Sequence, residues 1–170
     1  MLATAYNESF KHCTGDIIMV CCDDIYFETE GWDQLVIDEF GKLTDKIAIV
    51  YGNDGIKCEK MATLAFMHRN WIDTVGYVLP PYFVRENGDT WLTDVSNLVN
   101  RRIYIPGMHI KHESEALPHI QQDRTNIERR QMSKINPPPG GRWEYYKQLL
   151  PKRKKDAAKL LQFIDDFWEK

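Results

Sequence analysis

An α/β fold, a mixed sheet flanked by helices, is predicted by three features of this 170-residue chain. Two short continuous apolar runs with β-branched residues, at 17–22 (IIMVCC) and 47–51 (IAIVY), suit strands buried on both faces. The segment between them has helical spacing instead, with Trp32, Leu35, Val36, Glu39 and Phe40 on one side. Strands alternating with helices imply a layered sheet, and the chain is long enough to bury one sizeable core.

Taken in order, residues 2–13 read as a helix with Leu2, Tyr6, Phe10 and Cys13 on one stripe, stopped by Gly15. The strand at 17–22 follows, then a helix over 31–43, the second strand at 47–51, and a turn at GNDG (52–55). A strand over 63–68, a short helix over 71–75 and a rigid LPPYF loop come next. A helix over 90–100 leads into a strand over 102–105. The tail differs: a polar helix over 122–133, a Pro/Gly linker at 136–142 and a helical segment over 143–170. The expected organisation is therefore one α/β domain (1–135), a linker (136–142) and a C-terminal helical segment (143–170). In that segment Ala157, Leu160, Leu161, Ile164, Phe167 and Trp168 form an apolar stripe, expected to dock on the domain or on a twin chain. The PKRKK run before it (151–155) reads as a solvated helix start, with a membrane-surface role as the rival.

Composition excludes several classes. A net charge of -3 gives no general attraction to nucleic acid or to an anionic membrane. No apolar run approaches the roughly 20 residues of a membrane span, and the N-terminus lacks the basic and apolar regions of a signal peptide. Cys13, Cys21, Cys22 and Cys58 fit no zinc-motif spacing and are expected as buried thiols in a reducing, cytoplasmic setting.

The chemistry-bearing motif is Asp23–Asp24, placed directly after the first apolar strand. Adjacent carboxylates repel unless a cation or a proton intervenes. Asn53–Asp54 stands just past the second strand, and in α/β sheets ligands lie beyond the carboxyl ends of the strands. The two clusters are therefore expected on one sheet edge, facing a divalent cation, with a plain strand-end turn and helix cap as the structural alternative for Asp23–Asp24. His109 and His112 follow the strand at 102–105, and at i,i+3 on an extended chain they face opposite ways, so at most one reaches a shared site; His119 is a further candidate. Asp89 stands at a helix start, either as a cap or as a general base at a pocket rim, with Asp94 one turn on.

These stretches resemble a known family. AYNESFKHCTGDIIMVCCDDIYFETEGW resembles the middle of family 2-type glycosyltransferases with the GT-A fold, where an Asn-containing helix precedes a Gly-Asp pair, an apolar strand and an Asp-rich metal motif. Asn7, Gly15, Asp16, Asp23 and Asp24 match that order, and Trp32 matches the aromatic that follows. VYGNDGIKCEKMATLAFMHRNWIDTVGY resembles the next strand and the acceptor-side segment. GDTWLTDVSNLVNRRIYIPGMHIKHES resembles the block where an acidic helix start leads to a strand and a metal-binding His. The resemblance covers about residues 3–125 and implies a partial GT-A domain without the family's first strands. It implies Mn2+ or Mg2+ held by Asp24 and His112, with Asp123 near that histidine. Asn7, Asp23 and Asp54 would face the nucleotide-sugar donor, and Asp89 would be the base, with Asp94 in reserve. Trp71 and Trp91 would be available to stack on a sugar ring. Without the nucleotide-gripping strands, the chain is expected to turn over nucleotide-sugars poorly. The alternative is a non-catalytic remnant acting as a binding or homo-oligomerising module. A metal-dependent phosphoester hydrolase is a weaker third reading, since it would need a second carboxylate-bridged metal.

Overall fold

In the computed structural model, residues 2–83, 87–113, 127, 131 and 141–169 are described. Five strands, β1 (Ile17–Met19), β2 (Ile25–Phe27), β3 (Ile49–Asn53), β4 (Phe66–His68) and β5 (Arg102–His112), form one mixed sheet in the order β1-β4-β3-β5-β2. β3 and β5 run parallel, and β4 lies antiparallel to both β1 and β3. β1 and β3 therefore point the same way, and the segments after them emerge at one end of the sheet.

The side-chain period of two assigns the strand residues to two faces. Ile47, Ile49 and Tyr51 pack with α1 (Leu2–Phe10), α3 (Arg69–Val75), α4 (Gly88–Leu98) and the C-terminal helices. Ala48 and Val50 pack on the other face with Val36 and Phe40 of α2 (Trp32–Gly41). Met108 and Ile110 of β5 join that second cluster. Trp71 and Trp91 are each 1% exposed within the first, so neither offers a ring to a sugar.

The strand expected at 17–22 is shorter and lies elsewhere. Only Ile17–Met19 are strand, half-buried, at a sheet edge, and β4 stands between β1 and β3. The antiparallel strand β4 takes the place beside β3, and β1, as an edge strand, needs less cover. The expectation of buried thiols is also corrected. All four cysteines are free; Cys13, Cys21 and Cys22 are exposed and Cys58 is half-buried.

β5 continues well past residue 105, to His112. Pro106–Gly107 marks a bulge rather than a strand end: Gly52 pairs with Ile105 but Asn53 pairs with His109, so Pro106, Gly107 and Met108 are extra on β5. Pro106, lacking an N–H, is tolerated where the ladder is already broken. Gly52 is required here, because a Cβ at that position would run into the Met108 carbonyl oxygen. Beyond the bulge β5 pairs with β2 instead.

The C-terminal segment is two helices, α5 (Arg142–Gln148) and α6 (Leu150–Trp168), with Pro151 in the first turn of α6. Ala157, Leu160 and Ile164 of the expected stripe are buried on the domain. Leu161, Phe167 and Trp168 are exposed, the last at 65%, so the docked stripe is narrower than expected. Arg153, from the basic run, is not solvated but 5% exposed. Its guanidinium lies 4.0 Å over the Tyr146 ring and donates to the Tyr146 carbonyl at 2.7 Å. Asp156 is buried beneath it, accepting from Trp91 Nε1 at 3.2 Å and from the Tyr77 hydroxyl. The polar helix expected over 122–133 and the linker at 136–142 lie almost wholly outside the described residues, as do His119 and Asp123.

Candidate functional site

The segment after β1 is held in place by its neighbours. Val20 extends the β1–β4 ladder through Ala65, and the Tyr6 hydroxyl of α1 donates to the Cys21 carbonyl. Burial, then the nearby thiols and Asp23, push the Tyr6 phenol up to about 12, which keeps it a donor. The chain next enters β2, whose Ile25 pairs with His112 of β5, and the Glu113 amide donates to the Asp24 carbonyl at 2.9 Å. At the far end of β2 the Thr29 hydroxyl accepts from the His109 amide at 2.8 Å and donates to the Gly107 carbonyl. The second half of β5 is thereby pinned to the residues that follow β1.

Three donors converge as a result. Cys22, Asp24 and His112 place one ligand atom each within 4.8 Å of one another. His112 Nε2 lies 3.4 Å from Asp24 Oδ1 and 3.4 Å from Cys22 Sγ, although Cys22 and His112 are ninety positions apart in the chain. Asp24 Oδ1 and His112 Nδ1 are buried and have no hydrogen-bond partner among the described residues. Buried polar atoms are nearly always partnered, so an orphaned carboxylate oxygen facing an imidazole suits a bound cation. Cys22 is exposed as a residue; partial burial, then the Asp24 carboxylate, push the thiol up to about 12. A cation among the three donors would reverse that electrostatic balance.

His112 also borders an open cleft of about 220 Å³, lined by Glu28, Asn53, Asp54, Ile56, His109 and Lys111 among others. The cleft joins the end of β3 to the end of β5, so the two polar clusters that follow β1 and β3 share one end of the sheet through His112. His109 and His112 lie on opposite faces of β5, yet both border this cleft.

The other candidate residues fall into different surroundings. Asp23 is exposed beside Asp24. Asp54 is 3% exposed and its carboxylate is engaged: Oδ1 accepts from the amides of Ile56, Lys57 and Cys58, and Oδ2 from the Thr63 hydroxyl at 2.7 Å. Burial pushes the Asp54 carboxyl up, but these hydrogen bonds outweigh it and leave it below the usual range. Asn7 clamps α1 to the loop after α3, accepting from the Val78 and Leu79 amides and donating to the Leu79 carbonyl. Asp94 accepts from the Tyr146 hydroxyl at 2.7 Å and lies 3.5 Å from Arg153 Nε, inside the C-terminal dock. Asp89 stands in the first turn of α4 with Oδ1 on the Thr90 amide at 2.7 Å, and is not among the described residues lining the cleft.

Sequence reasoning missed Cys22, Glu28 and Lys111. For Cys22 a signal was present: at i,i+2 from Asp24 on an extended chain, the two side chains share a side. Glu28 and Lys111 gave none, because they meet only through the pairing of β2 with β5. Asp45 was missed too; it is 1% exposed and ties the start of β3 to Arg101, its Oδ2 accepting from Nη2 at 3.1 Å. Among the described residues no helix is long and apolar enough to cross a membrane. No protein-family model, curated protein or solved structure matches the chain, so its functional reading rests on the geometry of this strand-end cluster and on the sequence resemblance.

Proposed function

We propose that the chain is a metal-assisted glycosyltransferase domain, moving a sugar from a nucleotide-sugar to an acceptor hydroxyl with inversion. The observation that supports this best is the approach of Asp24 to His112 at 3.4 Å, since the family resemblance pairs these two residues as ligands before any fold is considered. The cleft beside His112 gives room for a substrate group, and Lys111 and His109 on its wall suit a phosphate.

A divalent cation at Asp24 and His112, manganese or magnesium in this reading, would supply charge neutralisation for a departing diphosphate. Asp24 and His112 would hold it, and Asp23 would orient the donor from the exposed side. Asp89 accepts the proton of the acceptor hydroxyl. It is preferred over Asp94, whose carboxylate is already committed to Tyr146. Asn7 and Asp54 act on the donor only indirectly, by fixing the loops that they clamp.

A second reading, a non-catalytic binding or self-associating module, is favoured by one observation. Asn7, Asp54 and Asp94 are all tied into the fold, while Trp143, Leu161 and Trp168 of the C-terminal helices are exposed. Two measurements separate the readings. Titrating Mn2+ with a nucleoside diphosphate should broaden the His112 ring resonances; no broadening removes the metal role. Sugar transfer from a panel of nucleotide-sugars should be slow and lost in Asp89→Asn; transfer unchanged by that substitution rejects Asp89 as the base.

A further inference from the structure

We propose that Cys22, Asp24 and His112 form a three-donor site for a thiophilic divalent cation, taking Zn2+ in preference to Mg2+. This goes beyond the transferase reading: it shares Asp24 and His112 with it, but concerns which ion the folded chain holds before any substrate arrives.

The donor set argues for it first. One thiol, one imidazole and one carboxylate make a borderline-soft set, whereas Mg2+ and Ca2+ take oxygen donors. The spacing is compatible with it. Metal–ligand lengths of about 2.0–2.3 Å in a tetrahedral zinc site put neighbouring donors about 3.3–3.6 Å apart. Octahedral magnesium, at about 2.1 Å, would put adjacent donors only about 2.9 Å apart. Cys22 Sγ to His112 Nε2, which is also a hydrogen bond, and His112 Nε2 to Asp24 Oδ1, which is also an ion pair, are both 3.4 Å, lengths that a tetrahedral ion can span without moving the backbone. The third observation is the orphaned Asp24 Oδ1, buried and turned toward His112 without a hydrogen-bond partner among the described residues. With three protein donors and an exposed flank at Cys22 and at Asp24, whose side chain is 41% exposed, a fourth position stays open to water or a substrate oxygen.

The backbone gives the cluster its rigidity. The β2–β5 ladder and the bond from the Glu113 amide to the Asp24 carbonyl fix Asp24 opposite His112. Binding therefore needs only side-chain adjustment. His112 Nδ1 has no partner among the described residues to orient the ring, which sets the affinity below that of a fully supported site. On the general stability order of N/O/S sites, Mn2+ enters more weakly than Zn2+.

The test uses the full chain with Zn2+, Co2+ and Mg2+ alone, no nucleotide-sugar present, so that failure of the transferase assay does not bear on it. Cobalt should bind one per chain and give a near-ultraviolet thiolate-to-metal charge-transfer band that Zn2+ abolishes. Cys22→Ser should lose the band and bind Zn2+ at least about 10-fold more weakly, the low end for losing even an outer partner of a ligand. Its circular dichroism should match the wild type. Cys21→Ser, one residue away, should keep both band and affinity. The proposal is overturned by cobalt binding without the charge-transfer band, by unchanged zinc affinity in Cys22→Ser, or by displacement of Zn2+ by equimolar Mg2+.

Discussion

Two clusters in this molecule are each centred on an aspartate and behave as opposites. Where α6 docks, Asp156, Tyr77 and Trp91 answer one another, as do Asp94, Tyr146 and Arg153. At the end of the sheet, Asp24 Oδ1 and His112 Nδ1 are buried with no hydrogen bond among the described residues. A closed inventory of donors and acceptors holds elements together, because each buried group would be costly alone. An open inventory is tolerable only where something else completes it or where its cost is low. The strand-end cluster is the more exposed of the two, yet it is the one that holds buried polar atoms without partners.

The largest expected effect breaks the saturated side. Asp156→Ala strands the Tyr77 hydroxyl proton and leaves the Trp91 N–H only its 3.1 Å bond to the Tyr77 oxygen, and an orphaned buried donor costs about 1–3 kcal/mol. A loss of about 3 kcal/mol is expected in urea unfolding, with α6 detached first in amide exchange. Next comes Gly52→Ala, where the new methyl meets the Met108 carbonyl; overpacking of this kind costs about 1–3 kcal/mol. Zinc binding should fall with it, because Met108 leads directly to His112. A gain in stability would show that the bulge can move freely.

A smaller effect is the pH dependence, where the two regions carry opposite signs. Burial, opposed by the Tyr77 and Trp91 hydrogen bonds, raises the Asp156 carboxyl above 3.8. Its contribution is fully present below 3.8 and is lost as pH rises through the raised value. Asp54 is lowered from 3.8, so its contribution is present above 3.8 and is lost as pH falls through the depressed value. Asp156→Asn should flatten the loss on the alkaline side of 3.8, and Asp54→Asn the loss on the acid side, in unfolding midpoints taken across pH. Smallest of all should be the stability changes in Asp24→Asn and His112→Ala, within about 0.5 kcal/mol, while cation binding disappears. A drop of several kcal/mol in either would place the open cluster with the structural one.

Much of the architecture was legible, and the reasons for the gaps are physical. The run at 47–51 announced itself because both faces of β3 are apolar, and Asp24 was paired with His112 through the family resemblance, where the residues alone left His109, His112 and His119 open. β2 escaped because Ile25–Phe27 is three residues long, half-exposed and flanked by acids, leaving no period to detect. β5 was cut short at Pro106–Gly107, since the same dipeptide that ends strands also makes bulges. The C-terminal dock was half-seen: apolar spacing found Leu160 and Ile164, but no hydropathy pattern marks Arg153 or Asp156, which are buried only because Trp91, Tyr146 and Tyr77 answer them.

The bulge in β5 makes the strand-end cluster depend on arithmetic. Before it, odd-numbered residues such as Ile103 and Ile105 face α2; after it, even-numbered Met108 and Ile110 do. His112 shares the even phase, and its alignment with Asp24 therefore rests on the parity of three extra residues, none of which belongs to the cluster. Deleting Gly107 alone would reverse that parity and send His112 to the wrong face, or drag Ile110 out of the core to keep it. Deleting Pro106 and Gly107 together would preserve it. Length variation here should therefore be accepted in steps of two and rejected in steps of one, which zinc retention by the single and double deletions would reveal.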